Sequence, residues 1–315
     1  MSLFELFART LDVTLPVFVM VFLGVGLKRL GWVDDAFINT ASGLVFKATL
    51  PTLIFMSLIQ ADLGVALNVS LLVFFVIATV GQLALSWLWA WRRVPFVDRG
   101  VYIQGAFRGN CGVVGLALAA AMYGSYGLSA GGVLLGVVIL TYNTLSVIVL
   151  TAFHPERRLS WRPLLLGIAR NPLILAVVLA IPFAALSIPL PDWVLASGEY
   201  FASLTLPLAL ICIGATLSAR SLRQGSQAAV GASLLKMVVL PIVSTLAAWL
   251  IGFSGRELGL LFLFFASPTA AASFVMVKAL GGNTALAANI VAITTLMASL
   301  TVTLGIFVLR LLGWI

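Results

Sequence analysis

The feature that most constrains this chain is a succession of apolar runs, each long enough to cross a lipid bilayer. A transmembrane helix needs about 20 apolar residues to span the ~30 Å hydrocarbon core. Runs of that length, bounded by charged residues, Gly or Pro, predict ten spans at residues 6–27, 36–59, 64–90, 100–123, 127–152, 163–186, 196–218, 226–252, 257–280 and 283–311. The connections are short, so little of the chain remains for a domain outside the membrane.

The composition supports this reading and excludes several classes of protein. Hydrophobic residues make up 62% of the chain, charged residues 9%, and the mean hydropathy is +1.17. A soluble globular surface needs roughly a quarter of all residues charged. The net charge of +8 comes from scattered residues, so no nucleic-acid partner is predicted. Cys111 and Cys212 lie in separate apolar runs, which predicts neither a metal pair nor a disulfide framework. The predicted class is an all-α polytopic membrane protein whose solvent is the lipid bilayer.

The distribution of positive residues predicts the orientation, because Lys and Arg remain on the cytoplasmic side. The odd-numbered loops hold Lys28, Arg29, Arg92, Arg93, Arg99, Arg157, Arg158, Arg162, Arg220, Arg223 and Lys278. The opposite side has Arg9, Arg256 and Arg310. Ten spans with both termini facing the periplasm is the predicted topology.

Matching landmarks in the two halves indicate an internal duplication. Pro16 and Pro172 are 156 residues apart, as are Pro51 and Pro207, and Asn110 and Ser267 are 157 apart. Residues 1–155 and 156–315 would then hold five spans each. An odd number of spans inverts the second copy relative to the first, an arrangement typical of secondary transporters.

Two spans carry helix-breaking sequence near their middle. Span four has Gly109, Asn110, Gly112 and Gly115, and span nine has the sequence Ser267-Pro268-Thr269 at a matching depth. Interrupted helices at matching depths of inverted halves are the best sequence indication of a substrate site. Residues 109–113 and 266–269 are therefore predicted to be non-helical and close together. Half-helix N-termini at such a site favour an anion. The alternative is that the glycines only allow close helix packing.

Several motifs together resemble the auxin efflux carrier family, which includes plant auxin exporters and bacterial permeases for malate, malonate and similar acids. The resemblance covers nearly the whole chain and rests on LPTLIF (50–55), GAFRGNCGVVGLAL (105–118), TYNTLSVIVL (141–150), NPLI (171–174), LPLALICIGATLS (206–218) and ASPTAAASFVM (266–276). It implies two inverted five-span repeats, a scaffold of spans one, two, six and seven, and a transport unit of the other spans. It also implies that spans four and nine cross, and that a homodimer forms through the scaffold. The family usually has a proline where this chain has Ala117.

The polar residues inside the spans define the candidate site. Asp and Glu fall at span ends or in loops, so an intramembrane carboxylate for ion coupling is not predicted, and coupling to H⁺ or Na⁺ stays open. Arg108 lies about 12 Å into span four at 1.5 Å per residue and either snorkels or attracts the anion. Two interpretations also remain for Lys236, Lys47 and Asn143: each side chain either contacts its structural surroundings or takes part in function. The predicted substrate-binding residues are Arg108, Gly109, Asn110, Gly112, Asn143, Lys236, Ser267, Pro268 and Thr269.

These patterns predict a secondary carrier for a small organic anion, located in a bacterial inner membrane. A channel or a membrane sensor built on the same spans is the alternative; a channel would show charged rings or carbonyl filters, and a sensor would show an output domain. An enzyme is disfavoured, because the sole histidine, His154, lies in a loop and no cofactor or metal-ligand cluster is apparent.

Overall fold

A computed structural model describes residues 3–61, 67–154, 166, 170–217 and 226–315. Within these ranges the secondary structure is helical, with one isolated bridge between two residues and no strand. The predicted all-α class is therefore confirmed for the described part of the chain. The first half contains α1 (Leu3–Arg29), α2 (Asp35–Leu44), α3 (Leu50–Ile59), α4 (Val69–Arg93), α5 (Phe96–Phe107) and α6 (Leu116–Ala152).

The second half contains eight further helices among its described residues. They are α7 (Pro172–Ala185), α8 (Asp192–Ser203), α9 (Thr205–Thr216), α10 (Gln227–Leu234), α11 (Leu240–Ile251), α12 (Gly255–Phe265), α13 (Ala271–Leu280) and α14 (Thr284–Leu311). Three π-helical segments join neighbouring elements: Val45–Thr49, Cys111–Gly115 and Leu235–Val239.

Seven helical stretches among the described residues are long and apolar enough to cross a membrane. These are Leu3–Arg29, Asp35–Ile59, Val69–Arg93, Cys111–Ala152, Asp192–Thr216, Gln227–Ile251 and Thr284–Leu311, and two shorter apolar helices are Pro172–Ala185 and Ala271–Leu280. The stretch Cys111–Ala152 contains parts of predicted spans four and five. The two spans meet at Gly124, whose non-helical conformation (φ 56°, ψ −130°) favours glycine. A multi-pass membrane protein accounts for this pattern; the count of ten spans stays a prediction.

Side-chain caps explain where several helices begin. An Asp, Asn or Ser at the N-cap accepts a hydrogen bond from a backbone N–H in the first turn, which otherwise has no intrahelical partner. This arrangement starts α2, α4, α7, α10 and α14 at Asp34, Asn68, Asn171, Ser226 and Asn283. In α7 the polar residue begins a helix that is otherwise apolar.

Two of the π-helical segments contain the lysines that the sequence places deep in spans two and eight. Lys47 lies in Val45–Thr49 and Lys236 in Leu235–Val239, and each segment is followed by a Leu-Pro pair. Proline has no N–H to bond the carbonyl four residues earlier, and a widened turn accommodates that loss. The apolar pattern of these spans did not predict the widened turns.

Helices α1 and α9 pack at very short range. A β-carbon built at Gly24 would overlap the main-chain oxygen of Ile211, and one at Gly214 would overlap the oxygen of Val21. Small residues allow this approach of two backbones. Helix α3 packs against α7, and α2 and α3 also contact α9, so the helices at the predicted spans one, two, six and seven are linked by contacts.

The beginning of α1 and the end of α14 lie together. The rings of Phe7 and Phe307 are 5.5 Å apart between centroids, and Arg310 Nη1 lies 3.4 Å from Thr10 Oγ1. The described ends of the chain therefore lie at the same side of the helical bundle.

Candidate functional site

The two predicted interruptions lie side by side. Helix α5 ends at Phe107 and α12 ends at Phe265, and the chain is non-helical over 108–110 and 266–270. Gly109 pairs with Thr269 in an antiparallel bridge. The N–H of Asn110 donates to Pro268 O at 2.7 Å, and the N–H of Ala270 donates to Arg108 O at 3.2 Å. The two segments thus satisfy some of each other's backbone groups where their helices are interrupted.

The non-helical range in span four is shorter than the sequence predicted. Backbone over 109–113 was expected to be non-helical, which is wrong for Cys111–Val113, because the segment Cys111–Gly115 is π-helical and continues into α6. Ala117, at the usual position of a family proline, is buried in helical α6. The interruption therefore does not need a proline at that position.

Different residues interrupt the two helices. Pro268 has no N–H for the carbonyl of Phe264, and the Cys111 thiol donates to that oxygen at 3.3 Å instead. In span four the space at Gly109 is tight, since a β-carbon there would lie 3.1 Å from Lys236 Nζ and 3.3 Å from Cys111 Sγ. A β-carbon at Gly115 would lie 2.7 Å from Ser267 Oγ.

Lys236 lies at the C-terminal ends of both half-helices. Its ammonium group donates to Phe265 O at 3.0 Å and to Phe107 O at 3.4 Å, and the residue is fully buried. Carbonyl groups at a helix C-terminus carry partial negative charge and attract a cation. The buried charge is therefore stabilised by two helix ends.

The N-terminal ends of the continuing half-helices meet a cavity of about 460 Å³. Cys111 and Gly112 of the π-helical segment and Ala271 and Ala272 of α13 line it. The first turn of a helix has N–H groups without intrahelical partners and carries partial positive charge. On one side of the paired interruptions, Lys236 thus stabilises the two helix C-termini. On the other side, the two helix N-termini adjoin a cavity that favours an anion.

Arg108 lines this cavity and is 8% exposed. Its Nη2 donates to Asn143 Oδ1 at 2.9 Å, and its Nη1 donates to Ser146 Oγ at 3.1 Å and contacts Met276 Sδ at 2.6 Å. Its Nε is buried and has no hydrogen-bond partner among the described residues. The guanidinium of Arg108 therefore places a positive charge at the wall of the cavity, which favours an anionic ligand.

The predicted site residues separate into two groups. Arg108, Gly109, Asn110, Gly112 and Asn143 line the cavity. Asn110 is half-buried, and Asn143 accepts a hydrogen bond from Arg108 through its side-chain oxygen.

The other four predicted residues, Ser267, Pro268, Thr269 and Lys236, are buried and do not line the cavity. Ser267 Oγ donates to Leu263 O at 2.8 Å, and Thr269 Oγ1 donates to Gly105 O at 2.7 Å. Thr269 N–H also donates to Thr294 Oγ1 at 3.1 Å. These polar groups hold the interrupted segment in place.

The sequence analysis missed several residues that line the cavity or contact Arg108. Ser146 and Met276 contact Arg108, while Cys111, Tyr142 and Asn171 line the wall. Ser146 had a detectable signal, since it lies three residues after Asn143 on the same helical face. No group of three or more His, Cys, Asp or Glu side chains in the described ranges could hold a metal ion.

Comparison with known proteins places the chain in a class. A family model described as "membrane transport protein" matches twice, over residues 11–161 and 155–306. The chain therefore belongs to this family, which confirms the resemblance to the auxin efflux carriers. An uncharacterized transporter of Methanocaldococcus jannaschii is 26% identical, with 97% of this chain and 98% of the relative covered. An uncharacterized transporter of Methanothermobacter thermautotrophicus is also 26% identical, over 86% of this chain and 89% of the relative.

Proposed function

We propose that this protein is a secondary carrier that moves a small organic anion of the carboxylate type across the membrane. The observation that carries the proposal is the guanidinium of Arg108, a buried positive charge at the wall of the 460 Å³ cavity. The N-termini of two half-helices adjoin the same cavity. A preformed, partly dehydrated positive site of this size suits a small anion.

We propose an architecture of ten spans in two inverted repeats. The family model matches the chain twice, and the landmarks of the two halves recur at nearly constant spacing. The contacts of α1 with α9 and of α3 with α7 would be related by the pseudo-two-fold axis of such repeats.

The transport mechanism would be of the elevator type. The scaffold would consist of α1, α2, α3, α7, α8 and α9, and the remaining helices would form the unit that moves with the substrate. The paired segments 108–110 and 266–270 close the cavity on one side, and exposed residues Ser42, Thr216 and Ala272 line its other side. Thr216, the last residue of α9, follows Ala215, which packs in one cluster with Leu27 next to Lys28, so the cavity would face the cytoplasm. A cavity closed at one end favours alternating access over a continuous pore.

The same proposal includes a homodimer formed through the scaffold, a bacterial inner-membrane location and periplasmic termini. The positive residues of the odd loops support the orientation. The proximity of Phe7 to Phe307 supports an even number of crossings.

Uptake by purified protein in proteoliposomes tests the proposal. A panel of radiolabelled mono- and dicarboxylates would be compared in wild type, Arg108→Gln and Asn110→Ala, with Arg93→Gln as the control. Arg93 lies in the last turn of α4, away from the cavity, so removing its charge should leave uptake unchanged.

We expect saturable uptake of at least one carboxylate, loss of that uptake in Arg108→Gln, and affinity about ten-fold to a hundred-fold weaker in Asn110→Ala, since an unpaired buried partner costs ~1 to 3 kcal/mol. Full uptake in Arg108→Gln would show that Arg108 is not part of the substrate site. Absence of carboxylate uptake by folded wild-type protein, together with flux of another solute class, would contradict the proposal.

A further inference from the structure

We propose that α4 carries a binding site for one anionic phospholipid, with the lipid phosphate at Arg92 and Arg99 and an acyl chain in a groove along the helix. The site is separate from the cavity at Arg108, and it does not depend on which solute the protein moves. The inference follows from the shape of the groove, from its exposure to the bilayer and from the positive charge at one of its ends.

An open groove of about 650 Å³ lies on one face of α4. Two rows of side chains line it: Leu83, Trp87 and Trp91 form one row, and Ala84, Leu88 and Arg92 form the other. Residues four apart follow one another on the same helical face, so the groove runs along the helix. At 1.5 Å per residue it is about 12 Å long, which is most of one leaflet of the ~30 Å hydrocarbon core. Its length therefore suits an acyl chain in a single leaflet.

The groove opens toward the bilayer. The described residues that line it all belong to α4, so no other described helix packs into it. Large apolar side chains are exposed along the whole of α4: Val73, Ile77, Val80, Leu85, Leu88, Trp89 and Trp91. Tryptophan is enriched at the level of the lipid headgroups, which suits Trp87 and Trp91 near the end of the helix. Acyl chains therefore cover this face of α4.

Arg99 is held at one end of the groove by carbonyl groups at the C-terminus of α4. Its Nη2 donates to Trp91 O at 2.8 Å, and its Nε donates to Val94 O at 2.9 Å. The guanidinium carbon lies 5.0 Å from the centroid of the Trp91 ring, and this ring lines the groove. A side chain that is already held in place loses little conformational entropy when it binds a phosphate oxygen.

Arg92 supplies a second guanidinium at the same end. Its side chain is exposed and lines the groove, and it makes no hydrogen bond or ion pair with the residues that the structure describes. A planar guanidinium presents paired N–H donors that match two oxygens of a phosphate. The apolar groove thus ends at two cations that suit a phosphate group.

No carboxylate in the described ranges forms an ion pair with these two arginines. Asp98, which is close to both in the sequence, accepts a hydrogen bond from Asn283 Nδ2 at 2.9 Å. The ion pair between Lys28 and Asp35 lies at the end of a different helix. Uncompensated arginines next to a membrane attract anionic headgroups, whereas a zwitterionic headgroup has no net charge. The site should therefore select an anionic phospholipid.

Competition between two lipids with identical tails tests the site. The full-length protein would be equilibrated in detergent with equal amounts of dioleoyl phosphatidylglycerol and dioleoyl phosphatidylcholine, and the bound lipid would be counted by native mass spectrometry. We expect wild type to retain about ten-fold more phosphatidylglycerol or better, because two arginines act on one phosphate. Arg92→Gln should lower this ratio about five-fold, which is the effect of one arginine at an anionic surface.

Arg93→Gln is the matched control, because it removes the same charge from the next residue. Arg93 does not line the groove, and its guanidinium carbon lies 4.2 Å from the centroid of the Trp89 ring. We expect the lipid ratio in Arg93→Gln to stay close to that of wild type. An equal fall in Arg92→Gln and Arg93→Gln would indicate diffuse attraction between surface charge and lipid, and would overturn the site.

Filling the groove tests the place of the acyl chain. Ala84 is exposed and is the smallest residue of the groove wall, so Ala84→Trp would occupy part of the groove. Ile77→Trp is the control, because Ile77 is exposed on the same helix and does not line the groove. We expect Ala84→Trp to lower the amount of bound phosphatidylglycerol and Ile77→Trp to leave it unchanged. Unchanged binding in folded Ala84→Trp would contradict an acyl chain in the groove.

Excess inorganic phosphate distinguishes a lipid site from a site for a free anion. We expect it to leave the bound phosphatidylglycerol unchanged, because free phosphate gains nothing from the apolar groove. Displacement of the lipid by inorganic phosphate would assign the two arginines to a soluble anion and overturn the proposal. Equal retention of the two lipids by wild type would overturn it as well, and that comparison depends on no variant.

Discussion

The ammonium group of Lys236 lies 3.0 Å from the main-chain oxygen of Phe265, the last residue of a half-helix that ends inside the protein. The same ammonium lies 3.4 Å from the oxygen of Phe107, the last residue of the other half-helix. One lysine therefore stabilises two helix C-termini that would otherwise face each other with like partial charge.

Replacing this lysine should destabilise the protein. Lys236→Met removes a hydrogen bond from a charged donor to each carbonyl, which we expect to lower the free energy of unfolding by about 2 to 3 kcal/mol. Lys47→Met is the matched control, because Lys47 occupies the same kind of π-helical segment but is exposed. Thermal unfolding in detergent, followed by tryptophan fluorescence, measures both. Equal unfolding temperatures of the two variants would contradict the structural role of Lys236.

Sequence reasoning could not assign that role. The position of Lys236 in a long apolar span shows that the residue is deep, but both a cavity-facing and a packing side chain satisfy that pattern. The choice depends on how α5 and α12 cross behind it, which is a long-range property. The matching positions of Asn110 and Ser267, in contrast, located the two interruptions because glycine and proline act locally on the backbone.

The contact of α1 with α9 should tolerate no added volume. Gly24→Ala would place a methyl group against the main-chain oxygen of Ile211, and we expect a loss of about 1 to 3 kcal/mol of stability. Gly26, two residues along the same helix, has open space at its β-carbon, so Gly26→Ala is the control. The unfolding temperature of Gly26→Ala should equal or exceed that of wild type, since alanine favours the helix. A larger loss in Gly26→Ala than in Gly24→Ala would contradict the observed packing.

Relative movement of α1 and α14 can be tested at a single hydrogen bond. Thr303 Oγ1 lies 3.0 Å from Thr14 Oγ1, across the boundary between the proposed scaffold and the proposed transport unit. We expect a disulfide between Thr14→Cys and Thr303→Cys to abolish uptake, and a reductant to restore it. The two single-cysteine variants under the same oxidant control for effects on Cys111 and Cys212. Undiminished uptake by the cross-linked protein would contradict movement at this boundary.

The apolar runs of the sequence define the fold only in part, as Gly124 and the π-helical segments show. The runs located the helices because each must bury its backbone in lipid, whatever its neighbours are. They placed a boundary between spans four and five at 124–126, where the structure has a break at Gly124 alone. The widened turns at Lys47 and Lys236 depend on local proline geometry and on packing, which hydropathy does not record.

The most direct measurement is the position of a bound acid in the protein. 4-Bromophenylacetate has one carboxylate and an apolar ring, and the anomalous scattering of its bromine locates the ring in a crystal. We predict a bromine peak against the apolar wall formed by Leu135, Val138 and Ile139, with the carboxylate facing Arg108, and no such peak in Arg108→Gln. A bromine peak confined to another cavity, such as the one lined by Tyr126, Arg256 and Glu257, with the cavity at Arg108 empty, would contradict the assignment.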